Sequence, residues 1–267
     1  MFLTKKGLFK ILIMAICYFV VGSSSIATAL LFLNLGIKDD FLFWLGAIAC
    51  AIGILSIFGG RYAEGKGKLI NSANKLVRNE LKPAEFINEY EILKNSKDLV
   101  INKPSSEILQ LVAIAYDSLD NREHCLATVE EMIAVASEKK KTYARLIKTS
   151  FLFSYDKTEE AEKLFTEIQK LKLNFMCLGL MDAILKSDRA MAMGDYKIVE
   201  AYNLQMLEQA FPKLDNLGKL TAHYKLGEVY EKLQDNEKAL SHYRYCVDYG
   251  GETALKASAK AAIESLK

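Results

Sequence analysis

Two stretches without a single charged residue, Ile11 to Ile37 and Phe41 to Gly60, fill most of the first sixty positions, and from Arg61 onward charge is dense and mixed. At 1.5 Å rise per residue they would form helices of roughly 40 Å and 30 Å, against a hydrocarbon core of about 30 Å. The pattern predicts a two-helix transmembrane hairpin over 1–60 that tethers a water-soluble part. Lys38, Asp39 and Asp40 supply the polar turn between the spans.

Cations flanking a span resist translocation, so their distribution sets the orientation. Lys5, Lys6 and Lys10 precede the first stretch, and Arg61, Lys66, Lys68, Lys75 and Arg78 follow the second, whereas the loop holds one Lys and two Asp. Both termini, and the soluble part with them, are expected in the cytoplasm. Trp44, Phe41 and Phe43 near one end of the second span, and Tyr62 at the other, suit the headgroup interface. A cleaved signal peptide is the rival reading, because Ala27-Thr28-Ala29 offers a small-x-small site; the apolar run continues past it through Leu30 to Leu33. Cleavage there would still leave one span delivering Arg61 onward to the cytoplasm.

Small residues recur four apart within the spans, as in Ser23 and Ala27 or Ala49 and Gly53. Such spacing lets helix backbones approach in lipid, favouring a tight hairpin or a homodimer formed through these helices. The spans carry no acidic or basic side chain, so an ion or proton path is not expected and an anchor in the lipid bilayer is.

The chain has 35 Lys plus Arg and 33 Asp plus Glu, and the soluble part is neutral. Such a balance lacks the long-range field that draws in nucleic acid, which is not an expected partner. Cys17, Cys50, Cys125, Cys177 and Cys246 form no Cys-x-x-Cys, and the last three sit at apolar helical positions where a reduced thiol acts as a small hydrophobe. His124, His223 and His242 are far apart, so neither a metal nor another cofactor is expected.

Beyond Arg61 the periodicity is helical throughout, as in Ile108, Leu111, Val112, Ala115 and Leu119. Turn and cap residues fall at Asp120-Asn121, Asp156 to Thr158, Gly194-Asp195 and Asp235-Asn236. The fold class expected is therefore all-α, with helix hairpins in series. Segment 61–104 holds a juxtamembrane helix pair, Lys68 to Leu81 and Ala84 to Leu99, and 105–267 the repeats with a terminal capping helix after Gly250-Gly251.

The segment His223 to Tyr243 resembles the tetratricopeptide repeat. Leu226-Gly227, Tyr230, Ala239 and Tyr243 match that family's characteristic positions, while His223 stands where a bulky residue, often Trp, is usual. Spacing has a packing reason: a small residue on each helix of a pair lets the two cross closely. Upstream, Ala113 with Cys125, Thr149 with Ala161 and Ser187 with Val199 show the same separation as Gly227 with Ala239, and the second-helix positions advance in steps of 36, 38 and 40. Apolar residues follow each, Met132, Ile168, Met206 and Cys246; between them Val129, Phe165 and Tyr243 conform, whereas Asn203 departs.

The resemblance implies a TPR-like α-solenoid whose first helices line a concave groove for a protein or peptide partner. Carried over residue by residue, the groove-facing positions are Tyr143, Leu146 and Phe153, then Met181, Ile184 and Met191, then Tyr224, Glu228 and Lys232. Some members grip a terminal carboxylate with Lys and Asn; here the corresponding pairs are Gln110 and Ile114, Leu146 and Ser150, Ile184 and Asp188, Tyr224 and Glu228, so that clamp is absent. An apolar groove with methionines suits an amphipathic helix or hydrophobic peptide.

Catalytic signatures are missing. Gly60 to Gly67 mimics a phosphate-binding loop, but Gly67 replaces the magnesium-binding hydroxyl and no strand precedes it. Glu130-Glu131 and Glu159-Glu160 are helical neighbours that point about 100° apart and read as solvated surface. A membrane-anchored cytoplasmic scaffold is thus expected rather than an enzyme; the alternative is an assembly or quality-control factor whose hairpin touches membrane-protein clients. The topology predicts that an impermeant thiol reagent leaves Cys125, Cys177 and Cys246 unmodified in intact cells and labels them once cells are opened and the protein partly unfolded.

Overall fold

The computed structural model describes residues 65–95, 104–169, 179–208 and 214–266, and every regular element among them is helical. The two uncharged stretches, with Cys17, Cys50 and Trp44, lie outside the described residues, as does Cys177. Among those described, no helix is long and apolar enough to cross a membrane. By its internal contacts the chain divides at Gly65, and Lys66–Lys267 forms one compact unit.

Helix α1 covers 65–79 and widens over Asn74–Asn79 into a π turn, where the Glu80 amide donates to the Lys75 carbonyl at 2.8 Å. Then come α2 (Pro83–Asn95), α3 (Ser106–Asp117), α4 (Arg122–Val135), α5 (Glu138–Ser154) and α6 (Thr158–Gln169). The remainder are α7 (Gly179–Met193), α8 (Tyr196–Glu208), α9 (Asn216–Lys232), α10 (Asn236–Tyr249) and α11 (Ala254–Ser265). Pro83 opens α2, where its missing N–H costs nothing.

Four hairpins, α3–α4, α5–α6, α7–α8 and α9–α10, are built with one turn geometry. In each, an amide reaches back five residues to a carbonyl: Asn121 to Tyr116, Lys157 to Leu152, Asp195 to Ala190 and Asp235 to Tyr230, at 2.8 to 2.9 Å. The residue before that amide is left-handed, with φ of 54° at Asp120, 60° at Asp156, 77° at Gly194 and 62° at Gln234. Asp and Gly tolerate that backbone, which makes their turns readable in the sequence; Gln234 tolerates it less well and carries no such signal. Asn121 and Asp235 then cap the next helix, accepting from the His124 and Lys238 amides at 3.3 and 3.2 Å.

The residues expected at the helix crossings are buried within the pairs. Ala113, Cys125, Thr149, Ala161, Val199 and Ala239 are 0% exposed and Ser187 1%. Thr149 satisfies its hydroxyl on the Arg145 carbonyl at 2.8 Å. The Ser187 hydroxyl has no partner among the described residues. At Gly227 the approach is closest, since a Cβ there would sit 2.6 Å from the Tyr243 ring. Tyr243, 1% exposed, sends its hydroxyl to Glu231 at 2.8 Å, and Tyr230 reaches Glu200 at 2.8 Å. Asn203, the departure from the apolar pattern, is 3% exposed and donates to the Val199 carbonyl at 2.8 Å, which removes the cost of burying its amide.

Successive pairs stack through α4–α5, α5–α7 and α8–α9, and α11 covers α10. The far ends also meet. Leu69, Ala73 and Val77 of α1 share a core with Phe86 and Tyr90 of α2, Ile108 and Val112 of α3, and Leu217 of α9. Leu81, in the α1–α2 turn, packs instead with Leu220 and Tyr243 of the last pair. Arg78 pairs with Asp215 at 3.0 Å, Asn216 donates to the Asn79 carbonyl at 2.7 Å, and the Glu252 amide donates to the Leu81 carbonyl at 2.9 Å. Segment 65–95 therefore joins the first pair to the last and closes the stack into a ring, whereas the sequence sets 61–104 apart as a linking segment.

Gly251 is where that closure is tightest. Its φ is +55°, and a Cβ would fall 2.6 Å from the Leu81 Cβ and 2.8 Å from the Leu81 carbonyl oxygen. Gly251→Ala should lower unfolding stability by about 2 kcal/mol, from left-handed strain plus the clash, and speed amide exchange at Glu252. Gly227→Ala should cost about 1–3 kcal/mol through overpacking against Tyr243, without releasing that amide; urea denaturation and hydrogen exchange distinguish the two.

Candidate functional site

The first helices of the pairs face inward, and closure turns the concave surface they share into a chamber of about 510 Å³. Its wall combines the α3–α4 and α5–α6 turns, the C-terminal half of α7, one face of α9 and the start of α11. Asp120, Arg122, Asp156 and Lys232, all exposed, mark where it meets solvent.

The interior is acidic. Asp188 on α7, with a side chain 2% exposed, accepts from the Ser150 hydroxyl and the Lys225 ammonium, one on each oxygen. Those bonds from α5 and α9 tie three inner helices together, and a buried carboxylate needs them. Asp117 at the end of α3 accepts from the Tyr155 hydroxyl at 2.7 Å. Burial pushes the Asp117 carboxyl up to about 6, partly offset by the Tyr155 bond and the Lys225 charge. The Tyr155 phenol is raised by burial and by Asp117, so it stays a hydrogen-bond donor. Glu228 on α9 lines the chamber with no hydrogen bond or ion pair among the described residues, and burial pushes it up to about 7 despite the nearby Lys225 charge. Three carboxyls thus share the wall with the half-buried Lys225.

The expected groove residues separate into two groups. Leu146 and Phe153 are 4% and 3% exposed and belong to the core with Leu152, Ala161 and Leu185. Phe153 also reaches the chamber wall, as do Met191, Tyr224, Glu228 and Lys232. Tyr143 is half-buried, its hydroxyl accepting from the Gln110 amide at 3.3 Å, and Ile184 is half-buried without reaching the chamber. The Met181 side chain lies outside the described residues. Of the positions compared with the carboxylate clamp, Asp188 and Glu228 do line the wall, carrying the opposite charge.

Sequence reasoning missed Asp117 and Tyr155, which follow the helical run of their hairpins and carry no motif. Nor did it anticipate Lys148, 18% exposed on α5 and held between Glu130 of α4 at 2.6 Å and Glu160 of α6 at 3.3 Å. Those two glutamates are exposed, as their sequence pattern suggests, and bridge three helices through Lys148. His223 stacks on Tyr245 with ring centroids 3.7 Å apart and meets His242 Nδ1 to Nδ1 at 2.9 Å, so an aromatic cluster occupies the place of the usual bulky residue. Burial lowers both imidazoles, His223 to about 4, and keeps the pair neutral. Burial also pushes the Cys125 and Cys246 thiols up to about 12, making them inert packing groups. Lys66, from the loop-like glycine run, is helical and pairs with Glu107. No group of three or more His, Cys, Asp or Glu among the described residues is arranged to hold a metal ion.

No protein-family model matches the chain, and neither a curated protein nor a solved structure matches it.

A carboxyl whose folded pKa lies above its unfolded value stabilises the fold below the unfolded pKa, and that contribution disappears as pH rises through the folded one. For Glu228 the window runs from the ordinary carboxylate value of 4.5 up to about 7. Glu228→Gln should match the wild type near pH 4 and exceed it at pH 8 by on the order of 2 kcal/mol, in urea denaturation across that range.

Proposed function

We propose that this chain is a membrane-tethered, cytoplasmic adaptor of the tetratricopeptide-like kind, which captures a protein partner through the inner face of its helix pairs. The observation that carries the reading is the four-fold recurrence of one hairpin turn, with first helices converging on a single chamber. Repeats of this type present a concave surface to a ligand and hold it rigidly, because each pair is fixed by its neighbours. Tethering rests on the two uncharged stretches and the flanking cations.

Enclosure changes the form the partner takes. With Leu146 and Phe153 in the core, a long amphipathic helix has no apolar trough to lie in. A short extended segment or a single projecting side chain, inserted between Asp120 and Lys232, fits the chamber better. The two hydroxyl–carboxylate pairs at the chamber, Tyr155 with Asp117 and Ser150 with Asp188, join separate helices, and binding rather than chemistry is the function proposed.

Met191 and Thr221 line the wall and are only half-buried, which makes them suitable for blocking it. The full chain carrying Met191→Arg and Thr221→Arg should lose its partners in detergent pull-down while keeping its helical content and melting temperature within a few degrees. An unchanged partner list from a folded variant would remove the chamber from partner capture.

A further inference from the structure

Two of the helices that wall the chamber run toward it from a common end. α3 starts at Ser106 and reaches the wall at Asp117, and α5 starts at Glu138 and reaches it at Phe153 and Ser154. Their starts meet through Glu107, whose carboxylate accepts from Lys66 at the beginning of α1 and from Lys140 of α5 at 2.5 Å. The last turns of α2 belong to the same end, since Glu89, Ile92 and Leu93 share a hollow of about 280 Å³ with Lys68, Leu69 and Ser72 of α1. Val135 joins them by connectivity, ending α4 three residues before α5 begins.

Ile92 is 61% exposed and Val135 47%. An isolated exposed aliphatic is ordinary on a protein surface. This pair differs in its surroundings. Lys66 and Lys140 share one carboxylate, so that group keeps a net positive charge, while Lys94 and Lys141 pair with Glu91 and Glu138 close by. Only residues 61–64 separate the start of α1 from Gly60, where the second uncharged stretch ends, a reach of at most about 18 Å.

We propose that this end of the helical unit is a bilayer-docking surface, with Ile92 and Val135 entering the headgroup region of an anionic leaflet and the lysines around them meeting lipid phosphates. The proposal rests on the tethered reading of the chain and adds to it a face and an orientation. Aliphatic side chains give such a contact its depth, and lysines its preference for anionic lipid. A tether this short keeps the surface at high effective concentration over the bilayer, so two aliphatics and a small excess of cations suffice where they would not hold a free protein. A bilayer is favoured over a protein partner on that ground. Docking also sets which way the chamber looks. α3 has 12 residues, so Asp117 would stand up to about 18 Å above the membrane-facing end, with the chamber opening at Asp120 and Arg122 directed to the cytoplasm.

The test uses the full chain reconstituted in vesicles of phosphatidylcholine and phosphatidylglycerol whose acyl chains carry bromine near the headgroup, where it quenches tryptophan on contact. Trp44 is the chain's only tryptophan, so quenching in the wild type reports the tether alone. With Trp44→Phe as background, Ile92→Trp and Val135→Trp report docking, and Met193→Trp, at an exposed site next to Met191 and Ala192 of the chamber wall, reports the chamber side. Circular dichroism checks that each variant keeps its helical content. The two docking reporters are expected to lose about half their emission or more and Met193→Trp almost none, and the loss should shrink in pure phosphatidylcholine or in molar salt. Quenching of Trp44 with none at the docking reporters, equal quenching of all three reporters, or quenching indifferent to lipid charge and salt would overturn the docking while leaving the tether in place. An unquenched Trp44 would overturn the tether and the docking built on it.

Discussion

Closure of the helical stack depends on one close approach, the Leu81 turn seated against Gly251. Helix pairs stacked in series ordinarily leave an exposed apolar face at each end, and the common remedy is a polar capping helix. Here α11 covers α10, while α1 and α2 lie between the first pair and the last, so the core of the first pair continues into Leu217 of α9. Leu81 adopts a left-handed backbone, φ 57°, that its side chain disfavours. Burial of that side chain among Leu220 and Tyr243, together with the Glu252 amide on its carbonyl, offsets the strain. The absent Cβ of Gly251 makes the approach geometrically possible.

The chemistry of the interior is a consequence of closure. An open concave surface would leave Asp117, Asp188 and Glu228 solvated and fully ionised at neutral pH. On the shared wall Asp188 is buried and neutralised by Ser150 and Lys225, while the half-buried Asp117 and Glu228 shift toward the protonated form. Folding therefore gathers ordinary surface residue types from separate hairpins onto one wall.

Legibility from sequence varies with the range of the interaction. Helix positions and their turns are readable because they rest on local periodicity and capping, and the pairs Ala113 with Cys125 and Gly227 with Ala239 are readable because crossing helices need small residues at fixed spacing. Leu146 and Phe153 illustrate the limit: an apolar residue on an inner helix reads alike as groove or core, and only the packing of α6 and α7 around them places both in the core. Lys225 with Asp188, 37 residues apart, and Arg78 with Asp215, 137 apart, have no local signature at all.

The amino-acid sequence by itself determined the all-helical character of the described residues, the hairpin turns and a neutral charge balance beyond Arg61, because each depends on composition or on neighbours within about a dozen positions. Ring closure, the chamber and the raised carboxyls were decided by the tertiary structure. Their physical cause is long-range: Asp117, which ends α3, and Glu228 of α9 belong to the first and last hairpins and line one chamber only in the folded chain.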